Sequence, residues 1–266
     1  LQRGGWDVEA DGLCGAPRVH IILGAGAHST VLAALRFLGF GERQAVRIAT
    51  DAQGRIDCGA LERELLLLDA DVPTIVIAQA GHINSGAVDD LTRIVAAVQR
   101  LRKAWLHVDG AFGLWANVLP ELRDACMRDV ERCDSWATDL HKWLQCPYDS
   151  GVAIVRDADA HRAAMSIAAS YLPLNAAQKA FEPSHFVPEL SRRARGFAAW
   201  ATIRALGRQG IVEMVRRHCR LARLVAARIA SEVPGAHVLN QVVLNQVVVA
   251  FGDSDATTRA VIERLQ

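Results

Sequence analysis

The sequence predicts an α/β fold, a mostly parallel sheet between helices, joined to part of a smaller α+β unit. Three observations predict it. Short β-branched runs alternate with amphipathic helical stretches through the first 156 residues. Those runs are almost continuously apolar, as strands covered on both faces must be. Beyond Arg156 the alternation gives way to two long helical patterns and a valine-rich run.

Taken in order, VHIIL (19–23) reads as a strand and HSTVLAALRFLG (28–39) as a helix. AVRIAT (45–50) is a strand, DAQGRID (51–57) a turn with its glycine, and CGALERELLLLD (58–69) a helix. PTIVIAQA (73–80) is a buried strand. DDLTRIVAAVQRLRKA (89–104) is a helix whose acidic first turn and basic last turn complement its dipole. WLHVDG (105–110) is a strand, and LPELRDACMRDVERC (119–133) a helix with proline near its first turn, where no N–H is needed. DSWATD (134–139) and GVAIVRD (151–157) are strands.

Residues 166–188 carry no period and contain Pro173, Pro183 and Pro188. A loop of this length in a compact unit is typically functional. Helices are expected over 190–206 and 209–232, the second with Ile211, Met214, Val215, His218, Leu221 and Val225 at helical spacing. VLNQVVLNQVVVAFG (238–252) repeats VLNQV in tandem and reads as a strand. Five is odd, so the two copies would face opposite sides of it. The expected division is a large domain over 1–207 and a partial small domain over 208–266.

Composition narrows the function. The 266 residues are 51% hydrophobic, enough for a large core. Thirty basic residues against 29 acidic ones give no electrostatic pull towards nucleic acid or a membrane surface. The six cysteines include no C-x-x-C, which reads as reduced thiols in a cytoplasmic protein. No apolar run reaches the roughly 18 residues of a membrane helix, and no signal peptide is recognisable. The chain begins LQRGGWDVEADG without methionine and stops at AVIERLQ inside a helical pattern. A piece of a longer protein is expected.

ILGAGAHST (22–30) supplies Gly24 and Gly26 of a G-x-G-x-x-G fingerprint, but Ser29 stands at the third position. Asp51 lies too far along to serve a ribose. A glycine-rich strand-to-helix turn is the better reading. Other polar groups cluster at strand ends, where parallel α/β sheets bind ligands. They are His28, the AGHINSG stretch (80–86) with Asn84 and Ser85, Asp109, and Thr138, Asp139, His141 and Lys142. Each has a local alternative: a helix-entry histidine, an Asp-Gly turn, a packed histidine, turn formers, a solvated lysine. Zinc ligation by His28, His82, His107, Asp109 and His141 would normally bring H-E-x-x-H or a close helical His pair, and neither is present. Pyridoxal phosphate (PLP) needs a lysine to hold its aldehyde and an acid for its ring nitrogen. Lys142 and Asp109, 33 residues upstream, meet that need one βαβ unit apart.

WLHVDGAFG followed by DSWATDLHKWLQCPYDSGVAIV closely resembles the group II PLP-dependent amino-acid decarboxylases, fold type I enzymes related to aromatic-amino-acid and glutamate decarboxylases. The likeness continues through AHSTVLAALRFLG, IAQAGHINSGAVDDL, AASYLP and VPELSRRARGFAAWATIRALGRQG, so it spans nearly the whole chain. It implies a fold type I large domain, a homodimer, and decarboxylation of an L-amino acid to an amine and carbon dioxide. It implies that Lys142 bonds the cofactor, Asp109 pairs with the pyridinium nitrogen, His28 stacks on one ring face and Ala111 packs against the other. His141, with Thr138 beside it, would lie near the phosphate. Tyr171 would return a proton to the substrate carbon after carbon dioxide leaves. Two departures stand out. His82-Ile83 replaces a Thr-Thr pair, leaving Asn84 or Ser85 to supply the polar contact, and Asp139 replaces an asparagine. The family's N-terminal arm and glycine-rich phosphate segment have no counterpart here. Another fold type I reaction (carbon–carbon cleavage or aldehyde synthesis) and a non-catalytic truncated homologue are the alternatives.

Overall fold

The structure, a computed structural model, describes residues 5–166 and 182–265. Its centre is a six-stranded sheet in the order β2-β1-β3-β4-β5-β6. The strands are β1 (His20–Gly24), β2 (Ala45–Ile48), β3 (Thr74–Gln79), β4 (Ala104–Asp109), β5 (Ser135–Asp139) and β6 (Gly151–Val155). The first five are parallel, and β6 runs antiparallel along β5. Ahead of the sheet lies a single turn, α1 (Val8–Asp11); α2 (Ser29–Phe37), α3 (Cys58–Leu66), α4 (Leu91–Val98) and α5 (Pro120–Cys126) connect its strands, and α6 (Ala158–Met165) follows it.

The two faces of the sheet are covered unequally, and this difference creates the site. On one face Ile22, Val76, Leu106 and Val108 join a large core with Leu61 and Leu65 of α3 and Leu91, Ile94 and Val95 of α4. The spacing of those α4 residues is one helical stripe, and Asp90 starts the helix by accepting the Arg93 N–H at 3.1 Å. On the other face Ile21, Leu23 and Ile77 form a smaller cluster with Val19, Leu35 and partly buried neighbours such as Val31 and Phe40. Among the described residues, packing there stops short of β4 and β5 and leaves an open hollow.

Several boundaries differ from the sequence reading. The helix expected over 89–104 ends at Val98, because Leu101 turns into the core and Arg102 pairs with Asp71. The helix expected over 119–133 stops at Cys126; Asp129 takes a left-handed conformation (φ 61°), which brings Val130 and Cys133 inward. The helices expected over 190–206 and 209–232 are present as the two halves of α7 (Arg195–Glu232), which kinks at the non-helical Gly207 between them; the first starts at Arg195, five residues later than expected. The strand expected over 238–252 is two short strands, β7 (Ala236–Val238) and β8 (Val249–Phe251), paired antiparallel around an irregular excursion and followed by α8 (Asp255–Leu265). The tandem copies occupy that excursion: Leu239 is exposed, whereas Leu244 at the same repeat position is buried. The Asn240 side chain shapes it, accepting the Val248 N–H at 2.8 Å and donating to the Ser85 carbonyl at 2.9 Å.

The glycines of ILGAGAHST serve packing. A Cβ on Gly24 would meet Ile56 Cγ1 at 2.8 Å, and one on Gly26 would meet His82 Nε2 at 3.1 Å. Gly113 is tighter still: its added Cβ would lie 2.1 Å from the Ala80 carbonyl oxygen and 2.8 Å from Gly81 Cα, all main chain. Gly113→Ala is therefore expected to destabilise the fold by about 1–3 kcal/mol through overpacking. A denaturant titration would read this as a lower midpoint with an unchanged slope.

Candidate functional site

A cavity of about 1090 Å³ fills the hollow. Its floor is the uncovered sheet face, and strand alternation decides which side chains reach it. Ile75, Ile77 and Gln79 come from β3, Trp105, His107 and Asp109 from β4, and Ser135, Ala137 and Asp139 from β5. Thr30, Val31, Ala34 and Leu35 of α2 form one wall, His218 of α7 reaches in, and Asn245 and Gln246 come from the β7–β8 excursion. The polar groups gather at the carboxyl ends of the strands.

The turn after β5 explains why a lysine stands between a histidine and a tryptophan. Leu140, Trp143, Leu144 and Cys146 are buried, and the Cys146 N–H closes the turn on the Leu140 carbonyl at 3.1 Å. Lys142 is left outside this apolar plug and lines the cavity with 40% of its side chain exposed. Its Nζ lies 2.9 Å from Asp139 Oδ2. Trp143 is anchored from α7, its indole N–H donating to His218 Nδ1 at 2.8 Å. Desolvation, helped by Arg217, holds the His218 ring below its ordinary pKa, so it stays a neutral acceptor for that bond.

Asp109 ends β4 on the same cavity wall and accepts the Ala111 N–H at 3.2 Å, which turns the chain so that Ala111 also faces the cavity. His28 caps α2: its Nδ1 lies 2.7 Å from Thr30 Oγ1 and accepts the Thr30 N–H at 3.3 Å. The ring borders the cavity as well, so the helix-entry role and the site role coexist. His141 lies on the cavity rim, its Nδ1 2.7 Å from the Ser150 carbonyl oxygen and its ring 4.3 Å from that of Tyr148.

Three candidates do not border the cavity. Thr138 sits on the opposite face of β5 from Ala137 and Asp139; it is buried, and its hydroxyl has no hydrogen-bond partner among the described residues. Ser85 is buried and occupied, donating to the Gln53 carbonyl at 2.5 Å and accepting the Ala87 N–H at 3.2 Å. Asn84 is exposed, and its N–H reaches back to His82 Nδ1 at 3.3 Å. His82 packs over Gly54 and Gly26, and desolvation lowers its pKa. Tyr171 lies outside the described residues.

Beside Asp109 lies a half-buried polar set whose contacts strand-end placement alone does not give. Ser135 Oγ accepts the Trp105 indole N–H at 2.7 Å and lies 2.8 Å from His107 Nδ1. Burial lowers the His107 pKa, with Asp109 opposing, so the ring is neutral near pH 7. The signal for it was the parity of Trp105, His107 and Asp109 on one strand. Among the described residues no three His, Cys, Asp or Glu side chains gather as a metal site, and no helix is long and apolar enough to cross a membrane.

The donor set fits PLP: an accessible amine, a carboxylate and an imidazole open into one cavity, and Ala111 adds little bulk to its wall. Comparison with known proteins agrees. The family model for the pyridoxal-dependent decarboxylase conserved domain matches residues 12–251. An aromatic-L-amino-acid decarboxylase of Bacillus atrophaeus is 32% identical over 204 residues, 75% of this chain and 42% of that protein. An L-2,4-diaminobutyrate decarboxylase of Rhizobium meliloti is 32% identical over 199 residues, 73% of this chain and 39% of its own length. The chain thus spans about two fifths of these relatives. The crystal structure of Oryza sativa TDC with PLP and tryptamine superposes with a TM-score of 0.87 at 25% identity, covering 100% of this chain and 56% of that one. Mouse CSAD in apo form superposes at 0.84 with 23% identity, over 97% of this chain and 55% of its own, a likeness of fold. A match running over nearly the whole sequence, with relatives at this identity, makes the chain a member of the pyridoxal-dependent decarboxylase family.

Proposed function

We propose that the protein to which this chain belongs decarboxylates an L-amino acid to the corresponding amine, with Lys142 as the attachment point of PLP. The observation that carries this reading is the meeting of Lys142 and Asp109 in one cavity from the ends of neighbouring strands β5 and β4. Bound PLP supplies an electron sink that lets the bond between Cα and the substrate carboxylate break. Lys142 contributes the amine that holds the cofactor covalently. Asp109 would place its carboxylate at the strand end, where a protonated ring nitrogen needs a partner. Its orientation is fixed by the Ala111 N–H and by the rigid strand. His28 offers a flat ring at the start of α2, and Ala111 leaves room on the cavity wall for another. His141, tied to Ser150, is the nearest candidate for the phosphate side. Ser85 acts through the fold, tying the turn around His82 to the Gln53 carbonyl.

Two further parts of the reading rest on surface and backbone features. A homodimer is supported by Phe197 and Trp200 of α7, which are 74% and 61% exposed on one helical stripe. A division at 207/208 is supported by the non-helical Gly207 and by the separate β7–β8 sheet beyond it, although Ile211, Val215 and Leu244 share the large core. Scattered reduced cysteines favour a cytoplasmic setting.

The deciding experiment is incubation with PLP, borohydride reduction and peptide mass mapping. A pyridoxyl group on Lys142 is expected in the reduced sample, and an unreduced, PLP-loaded sample of the whole protein incubated with amino acids should release amine and carbon dioxide. An adduct without amine formation would leave a cofactor-binding, non-catalytic homologue.

A further inference from the structure

Asp139 is the least explained group in the cavity. Its main chain is pinned on three sides: its N–H donates to the Ala111 carbonyl at 2.7 Å, its carbonyl accepts the Trp115 indole N–H at 3.2 Å, and it pairs with Gly151 across β5–β6. Gly151 leaves space for the carboxylate, since a Cβ there would lie 3.3 Å from Asp139 Oδ1. The side chain is thereby aimed at the turn that carries Lys142. Asp139 Oδ2 lies 2.9 Å from Lys142 Nζ and 3.6 Å from His141 Nε2, so the lysine is its closer partner.

A lysine must offer a lone pair to attack an aldehyde, and an ammonium held against a carboxylate has none to offer. We propose that Asp139 is a positioning residue for Lys142: its carboxylate latches the ammonium and so sets the rate at which the lysine bonds to the cofactor aldehyde. This rests on Lys142 being the attachment point. The step balances without an oxidant. The ammonium gives one proton to Asp139 or to water, its nitrogen bonds to the aldehyde carbon, and the carbonyl oxygen leaves as water with the two remaining amine protons. The same contact also gives the amine a defined place to return to whenever the covalent bond opens.

The test compares the chain with its D139N variant, using PLP and phosphate-free pyridoxal as probes. Samples are reduced with borohydride at timed intervals, and the Lys142 adduct is quantified by peptide mass. D139N removes the latch at constant size, so both aldehydes are expected to couple about two- to five-fold faster, the yield of opening one partly exposed ion pair. D139E, which restores the carboxylate, is expected to return the slow rate, and D139S serves in place of D139N should the latter melt early. Equal rates in wild type and D139N would overturn the latch while leaving the lysine assignment intact. A gain with PLP alone would overturn it too, because Asp139 would then act by repelling phosphate. Absence of any adduct at Lys142 in every protein would overturn the attachment point and the latch together.

Discussion

Lys142→Ala is expected to abolish the pyridoxyl adduct and to lower amine formation by the intact enzyme at least about a thousand-fold. The effect is large because, among the described residues, no second lysine stands at the carboxyl ends of the strands. The sequence holds three lysines, Lys103, Lys142 and Lys179. Lys103 precedes β4 at its amino end, the opposite end of the strand from Asp109. Peptide mapping after reduction therefore gives a sparse pattern in which loss of one labelled peptide is unambiguous. The fold should tolerate the change, since the Lys142 side chain is part-exposed and the buried plug of Leu140, Trp143, Leu144 and Cys146 is untouched. An unchanged melting temperature with no adduct is the expected pair of results. An adduct that persists at another residue in the variant, with amine still formed, would move the chemistry away from this turn.

Asp89→Asn is expected to cost about 3 kcal/mol of stability. Asp89 is 3% exposed, and both of its oxygens are engaged: Oδ1 accepts the Ile56 N–H at 2.8 Å and Oδ2 the Gln79 N–H at 2.7 Å. It fastens the 51–57 turn to the end of β3, directly behind Gln79 in the cavity floor. An asparagine can accept only one of the two bonds and turns its NH₂ towards the other donor, leaving a buried N–H unsatisfied. Desolvation pushes the Asp89 pKa up to about 6, against the two backbone bonds that lower it. The folded state therefore binds the proton more tightly than the unfolded chain does. This group's stabilisation is full below the unfolded value near 4 and is lost as pH rises through about 6. The stability gap between wild type and Asp89→Asn should thus widen by about 1 kcal/mol from pH 7 to pH 5. Urea titrations at the two pH values measure it, and a gap that narrows on acidification would contradict the burial argument.

Much of the sheet was legible because buried parallel strands write themselves as apolar runs. PTIVIAQA and WLHVDG were placed within a residue of β3 and β4. Lys142 and Asp109 were legible because strand ends converge. The misread parts depend on tertiary context. Asp89 and Asp90 look alike as an acidic helix start, yet one is a buried tie between segments and the other an ordinary cap. Thr138 was grouped with Asp139 and His141 by proximity in sequence, whereas strand alternation turns it to the other face. The VLNQV repeat has strand composition, but Asn240 satisfies the Val248 N–H and Ser85 carbonyl that a ladder would otherwise take. His218 counted as one more helical position, and only the fold brings its ring to Trp143.

The cavity floor has a final consequence, for insertions and deletions. Its polar and apolar residues are all odd-numbered in β3, β4 and β5, while Val76, Leu106 and Val108 between them fill the core. Site and core are thus two readings of the same strands, separated by a single residue. Removing one residue from the middle of β4 would turn one end of the strand over, trading either His107 and Asp109 or their core neighbours for the wrong side. Removing two would shorten the strand yet keep its parity. In such strands a frame of two governs the chemistry as strictly as a frame of three governs translation.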